Sequence, residues 1–183
     1  MTPDPVSNHH RRSIRLKGFD YTSEGGYFIS LVTHERHNLF GEIINDEMLL
    51  NPLGEIARNE WFRTATLRPY VDLFDDEFII MPNHIHGILW LSQDVGAYCN
   101  TPLQPNVSQF RSPSVGVGAI IRGYKSSVTK RVKLLFNTSS SPLWQRNYYE
   151  HIITTDGEYD AIVEYIHTNP LNWAMDQENL DRF

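Results

Sequence analysis

The segment that most constrains the fold is the apolar run at residues 77–91, because a single Pro-Asn dipeptide interrupts it. Proline has no backbone N–H and is excluded from central strand ladders, and Pro-Asn is a turn-forming pair. The run is otherwise rich in the β-branched and aromatic residues that favour strands. The sequence therefore predicts an antiparallel hairpin, with strands at 77–81 and 84–91 that meet at Pro82 and Asn83.

The second predicted strand carries two histidines, His84 and His86, two residues apart. Side chains at i and i+2 share one face of a strand, which places their Cα atoms roughly 6.5–7 Å apart. From there, two imidazole nitrogens can reach one divalent metal ion at about 2.0–2.2 Å. The alternative is a pair of hydrogen-bonded core histidines. We expect the metal site, because two histidines on a buried strand are costly for structure alone.

The remaining patterns predict an α+β domain. Strands are expected at 27–33 and 143–153, and helices at 52–67, 115–135 and 157–167. Asn51 followed by Pro52 has the pattern of a helix cap and first helical residue. The order β-α-β-β-α-β-α is that of a ferredoxin-like sandwich, an antiparallel sheet with its helices on one face. In that topology the strand with the two histidines is central.

Length and composition predict one domain. The 183 residues, 40% of them hydrophobic, fit a single core at residues 15–175. A basic arm at 1–14, a polar connector at 92–114 and a tail at 176–183 are expected around it. No apolar run approaches the roughly 18 residues of a membrane helix, and the start lacks the pattern of a signal peptide. One cysteine, Cys99, is typical of a reducing cytoplasm.

The formal net charge of −6 argues against a nucleic-acid binder, but the basic residues are clustered. The candidates for DNA phosphate contacts are Arg11, Arg12, Arg15 and Lys17 near the start, and Arg122, Lys125, Lys130 and Arg131 in the second predicted helix. A basic patch on an acidic body can bind phosphates locally. Each cluster fits a solvated surface equally well.

Tyr124 lies within the second basic cluster, on a helix whose start is weakened by glycines. Nearby cations and a metal favour the phenolate, which is the form that attacks phosphorus. The chain has 9 tyrosines, so an ordinary half-buried aromatic is the alternative.

Met-Pro-Asn-His-Ile-His at 81–86 matches the HUH motif (His, hydrophobic residue, His) of the single-tyrosine HUH transposases. These include the REP-associated tyrosine transposases. The resemblance continues through 12–21, 39–41, 143–151 and Tyr165-Ile-His-Thr-Asn-Pro170, and it covers about residues 12–173. One His-x-His is a weak signal, whereas this set of segments in this order is specific.

The resemblance implies that His84 and His86 bind Mg²⁺ or Mn²⁺, which polarises the scissile phosphate of single-stranded DNA. A helix-borne tyrosine, matched here to Tyr124, attacks that phosphate and leaves a 5′-phosphotyrosine and a free 3′-hydroxyl. The resemblance also implies a homodimer that recognises a hairpin or imperfect palindrome, and hence a cytoplasmic, nucleoid-associated protein without membrane contact.

One position departs from the family pattern. Relatives often carry Gln or Asn as a third metal ligand one turn after the tyrosine, but residue 128 is Val. Either another residue supplies the third ligand, with His151 as the best candidate, or the metal site is weakened. The alternative for His151 is a structural or exposed side chain. Two other functions stay open: a domesticated DNA- or RNA-hairpin binder with weak or no turnover, and a small metalloenzyme for another phosphodiester in which Tyr124 is structural.

Overall fold

A computed structural model describes residues 20–92, 116–136 and 142–180. The basic arm with Arg11, Arg12, Arg15 and Lys17, and all but the first residue of the 92–114 connector, lie outside these ranges. The described elements are β1 (Gly25–Val32), β2 (Gly41–Ile44), β3 (Glu47–Leu50), α1 (Pro52–Leu67), β4 (Val71–Asp72), β5 (Phe78–Ile80), β6 (His84–Leu91), α2 (Val117–Phe136), β7 (Tyr149–Ile153) and α3 (Asp156–Thr168).

The main sheet is antiparallel, with strand order β4-β6-β1-β7 and with β5 also paired to β6. Strand β6 therefore has neighbours on both sides, and His86 lies opposite Ser30 of β1. The predicted central position of the histidine-bearing strand is confirmed, as is the hairpin, whose turn is closed by a 2.8 Å bond from Met81 N to His84 O.

Helix α1 begins where its sequence predicts. The Asn51 side chain accepts hydrogen bonds from the backbone N–H groups of Leu53 and Gly54, and Pro52 occupies the first turn. These bonds satisfy two of the donors that a helix leaves free at its start. The predicted bounds of 52–67 are those of the structure.

Helices cover both faces of the sheet. Ile85 and Leu89 of β6 pack in one core with Tyr124 of α2 and Trp61 of α1. Ile88, whose side chain points to the other face of β6, packs there with the buried residues Phe28 of β1 and Ile166 of α3. The α+β class with an antiparallel sheet is confirmed. The prediction that the helices share one face is wrong for α3, which packs on the face opposite α1 and α2.

The small hairpin of β2 and β3 is not among the elements that the sequence predicts. Its two-residue turn is formed by Asn45 and Asp46, with φ of 52° and 64°. These are residue types that tolerate the left-handed region, which the mirror-image turns of tight hairpins require. No described helix is long and apolar enough to cross a membrane.

Candidate active site

His84 and His86 lie at the floor of a cleft of about 850 Å³. Their side chains point to the same face of β6, and their ring centroids are 4.6 Å apart. Both are buried, at 0% and 6% exposure. The walls come from β1, from residues 145–149, from α3 and from residues 172–178. The predicted shared orientation of the two rings is observed.

His84 is held through one edge of its ring. Its Nδ1 is 2.8 Å from Asn83 Oδ1. Its Nε2 is buried and has no hydrogen-bond partner among the described residues. Burial lowers the pKa of His84, and Asp176, Glu178 and the Asn169 side chain offset part of that shift. The ring is therefore neutral near pH 7, and neutral imidazole is the form that binds metals.

His86 is in contact with two hydroxyl groups. Its Nδ1 is 2.7 Å from Ser30 Oγ, and its Nε2 is 3.1 Å from the hydroxyl of Tyr165. Burial, followed by the neighbouring His84, lowers the pKa of His86 well below its usual value. This ring is also neutral near pH 7.

Tyr165 is the tyrosine that the structure brings to the histidines. It lies on α3, and its ring centroid is 5.1 Å from that of His86. The side chain is 45% exposed, so its hydroxyl sits at the boundary between the buried pair and the open cleft. Burial, followed by the Asp176 carboxylate, raises the pKa of Tyr165. The phenol is therefore protonated in the resting protein.

Asn169 follows Tyr165 by one helical turn and is 2% exposed. Its Oδ1 is buried without a hydrogen-bond partner among the described residues, as is Nε2 of His84. The Asn169 side chain is close enough to influence the pKa values of both His84 and Tyr165. Buried polar atoms are rarely left unpaired in proteins. The Asn169 side chain contributes a hydrogen bond to the pKa of His84, so the two side chains lie close together and one cation could contact both.

These groups fit a divalent cation. Two imidazole nitrogens and an amide oxygen form a mixed set of donors of the kind that metals such as Mn²⁺ accept. No three His, Cys, Asp or Glu side chains of the described ranges gather at one point. A third protein ligand would therefore be the Asn169 amide, with water or substrate oxygens completing the shell.

The expectation that Tyr124 faces the histidines is wrong. Tyr124 lies on the opposite face of the sheet, is 2% exposed and donates a 3.0 Å hydrogen bond to Ala57 O of α1. Burial raises its pKa well above the usual value. The physical reason is strand alternation: even-numbered residues of β6 face α3, whereas α2 packs on the odd-numbered ones.

The structure also separates His151 from the histidine pair. His151 pairs in register with Phe28, which puts it on the α3 face, but its Nε2 contacts Glu158 at 2.5 Å. Backbone and side-chain hydrogen bonds, from Thr154 first and then His151, lower the pKa of Glu158 to about 2. His151 is therefore engaged by Glu158 rather than by the histidine pair, and the third-ligand role expected for it is not supported.

The predicted DNA contacts of α2 lie on the face away from the cleft. Arg131 forms an ion pair with the buried Glu60, and Lys130 lines a shallow pocket beside Trp144. Lys125 reaches the cleft indirectly, because its Nζ donates to the carbonyl of Gln145, 2.6 Å away, and residue 145 lines the cleft. The remaining candidate, Arg122, is exposed.

The start of the expected C-terminal tail is part of the site. Asp176, Gln177 and Glu178 line the cleft, and Glu178 forms an ion pair with Arg36 at 2.5 Å. The Trp173 ring lies 6.0 Å from that of His84. Residues 173–179 therefore form a wall over His84. Their acidic residues gave no signal of this in the sequence.

A curated relative covers nearly the whole chain. It is an uncharacterized protein of Haemophilus influenzae, 44% identical over 175 residues, which are 94% of this chain and 95% of that protein. The chain belongs to the family of this Haemophilus influenzae protein. No protein-family model matches the sequence.

Two solved structures resemble the fold at 16% identity. A REP-associated tyrosine transposase bound to a REP hairpin gives a TM-score of 0.49 and covers 82% of this chain and 68% of that one. A candidate transposase from Deinococcus radiodurans R1 gives 0.42, with 84% and 95% covered. Both scores are below 0.5.

Proposed function

We propose that this protein cleaves and rejoins single-stranded DNA through a phosphotyrosine formed on Tyr165. The observation that carries the proposal is the 3.1 Å contact between the Tyr165 hydroxyl and Nε2 of His86, beside the unpartnered Nε2 of His84. The same helix also supplies the amide that the family resemblance leads us to expect. Asn169 stands four residues after Tyr165, whereas Val128 stands four residues after Tyr124.

A divalent cation, Mg²⁺ or Mn²⁺, would be held by His84, His86 and Asn169. When bound, it would polarise a phosphate oxygen and stabilise negative charge during the reaction. The protein contributes two neutral imidazoles that are already fixed by burial and by hydrogen bonds, so little ordering is needed when the ion binds.

The reaction itself is a phosphoryl transfer. The Tyr165 oxygen bonds to phosphorus as the bond from phosphorus to the 3′-oxygen breaks. The phenolic proton passes to solvent, and the departing 3′-oxygen takes up a proton to become a hydroxyl. The 5′ side of the DNA is then linked to Tyr165. Attack of a 3′-hydroxyl on that link reverses the step and joins strands without an external energy source.

The cleft suits an unpaired strand. It is open at the Tyr165 side, and it is lined by amide groups (Gln145, Asn147, Asn172) and by Tyr149, which is 47% exposed. Amides can hydrogen-bond base edges, and exposed aromatic rings stack on unpaired bases. We extend the proposal to a DNA hairpin or imperfect palindrome as substrate and to a homodimer as the working form.

The test is a denaturing gel of labelled single-stranded DNA hairpins incubated with the protein and Mn²⁺. The proposal predicts a covalent protein–DNA band that is absent in Tyr165→Phe. Tyr159→Phe is the matched control, because Tyr159 lies on the same helix and its hydroxyl donates to Glu77 instead, at 2.8 Å. Hairpin binding without any adduct would favour a binder that lacks turnover. Cleavage that survives Tyr165→Phe would favour a metalloenzyme without a tyrosine nucleophile.

A further inference from the structure

Asn83, in the turn before β6, is fully buried and uses every polar group of its side chain. Its Nδ2 donates to two backbone carbonyls, Arg36 O at 3.1 Å and Glu178 O at 2.7 Å. Its Oδ1 is 2.8 Å from His84 Nδ1. Its own backbone carbonyl accepts from Thr33 N at 2.8 Å. A single side chain thus joins one histidine to the turn at Arg36 and to the cleft wall at Glu178.

This arrangement fixes the orientation of the amide. Backbone carbonyls only accept hydrogen bonds, so the side-chain group that faces two of them must be the NH₂. The oxygen of Asn83 then faces His84, and Nδ1 of that ring must carry a proton to donate to it. A flipped amide would set two pairs of acceptors against each other in a buried site.

The proton on Nδ1 determines the state of the other ring nitrogen. In a neutral imidazole that carries its proton on Nδ1, the other nitrogen, Nε2, has a free lone pair. His86 differs, since both of its partners, Ser30 and Tyr165, are hydroxyls that can donate or accept. The surroundings therefore select one tautomer for His84 and leave that of His86 open.

The same amide holds two segments beside His84, the turn at Arg36 and the wall formed by residues 173–179. Arg36 has a left-handed backbone with φ of 56°, a conformation that non-glycine residues keep only when surrounding contacts hold them. Asn83 holds its carbonyl, and the Arg36 side chain pairs with Glu178. The carbonyl of Glu178 is held by Asn83 as well, which ties the 173–179 wall to the turn before His84.

We propose that Asn83 is a positioning residue: it holds His84 with its proton on Nδ1, so that Nε2 is ready to bind the cation, and it anchors the wall formed by residues 173–179. The ligand role of Nε2 rests on the function proposed above. The tautomer and the anchoring are properties of the protein without metal or DNA, so they can be tested separately from it.

The first test is a long-range ¹H–¹⁵N spectrum of metal-free protein labelled with ¹⁵N-histidine. The spectrum is recorded at a pH at which the imidazoles are neutral, and the His84 signals are assigned by their loss in His84→Gln. The wild type should show His84 protonated on Nδ1. Asn83→Ala should shift His84 toward the Nε2–H form, which free imidazole side chains prefer in water. Mn²⁺ affinity, measured by electron paramagnetic resonance, should fall about 10–100-fold, as is usual when a partner of a ligating histidine is lost.

A second variant separates the two roles of Asn83. In Asn83→Asp a carboxylate oxygen still accepts from His84 Nδ1, but both donors to the carbonyls of Arg36 and Glu178 are gone. We expect the Nδ1–H tautomer to persist while amide hydrogen exchange accelerates in residues 173–180. The control is Asn51→Ala, which removes the cap of α1 and touches neither segment. It should leave the tautomer, Mn²⁺ affinity and exchange of 173–180 unchanged.

The inference is overturned if wild-type His84 carries its proton on Nε2, or if Asn83→Ala binds Mn²⁺ as tightly as the wild type. It is also overturned if Asn83→Asp leaves exchange in residues 173–180 unaltered. A different result would contradict the proposed function. In that case His84 would carry its proton on Nδ1 and the protein would bind Mn²⁺ tightly, but no covalent adduct with DNA hairpins would form.

Discussion

Replacing Tyr124 by Phe should lower stability slightly and leave DNA chemistry intact. The variant removes one buried hydrogen bond, the 3.0 Å contact to Ala57 O. That carbonyl lies within α1 and keeps its helical partner, so no acceptor is left unpaired. The loss should be about 0.5–1.5 kcal/mol, or a melting temperature about 2–4 °C lower per kcal/mol for a chain of this size.

The ring of Tyr124 should matter more than its hydroxyl. Its centroid lies 5.4 Å from that of Trp61 and 5.9 Å from that of Trp144, in the core between α2 and the sheet. Tyr124→Ala should therefore cost about 3–5 kcal/mol, as for other buried aromatics. Urea denaturation of both variants, with the adduct assay run on Tyr124→Phe, tests this. A Tyr124→Phe variant that keeps wild-type stability but no longer forms the adduct would show that Tyr124 acts on DNA and is not merely structural.

Three further predictions concern metal binding, packing and pH. Asn169→Ala should weaken Mn²⁺ binding by about tenfold or more, as measured by calorimetry, whereas Asn172→Ala, in the same cleft, should not. Gly87→Ala should cost about 1–3 kcal/mol in urea denaturation, because its Cβ would lie 2.7 Å from Trp61. Burial lowers the pKa of Lys125 to about 8 from 10.5. Between pH 8 and 10.5 the unfolded chain holds a proton on Lys125 that the folded protein has released. The free energy of unfolding should therefore rise with pH in this range relative to Lys125→Met. Urea denaturation of both proteins at several pH values measures the difference. Equal pH profiles for the two proteins would contradict that assignment.

Local signals in the sequence were sufficient for the elements that frame the site. Asn51 and Pro52 specify the start of α1 because capping is a short-range interaction. Pro82 separates β5 from β6, and the spacing of His84 and His86 fixes their shared orientation. These features depend on residues within a few positions of each other, so they needed no knowledge of the tertiary fold.

The position of α3 could not be predicted in this way. The apolar side of a helix shows that it packs on a sheet, but it does not show which face it covers. The basic neighbours of Tyr124 therefore favour it in the sequence, although they lie on the far side of the sheet from the histidines. The sequence does carry a signal for Tyr165, since it is followed one turn later by an amide, Asn169, whereas Tyr124 is followed by Val128.

Peptide mapping of the covalent adduct would show directly which tyrosine becomes linked to DNA. The adduct formed on a single-stranded hairpin with Mn²⁺ would be digested with protease and nuclease, and the nucleotide-bearing peptide sequenced by mass spectrometry. If Tyr165 is the nucleophile, the nucleotide will be found on Tyr165. A nucleotide on Tyr124, or on any other residue, would contradict it.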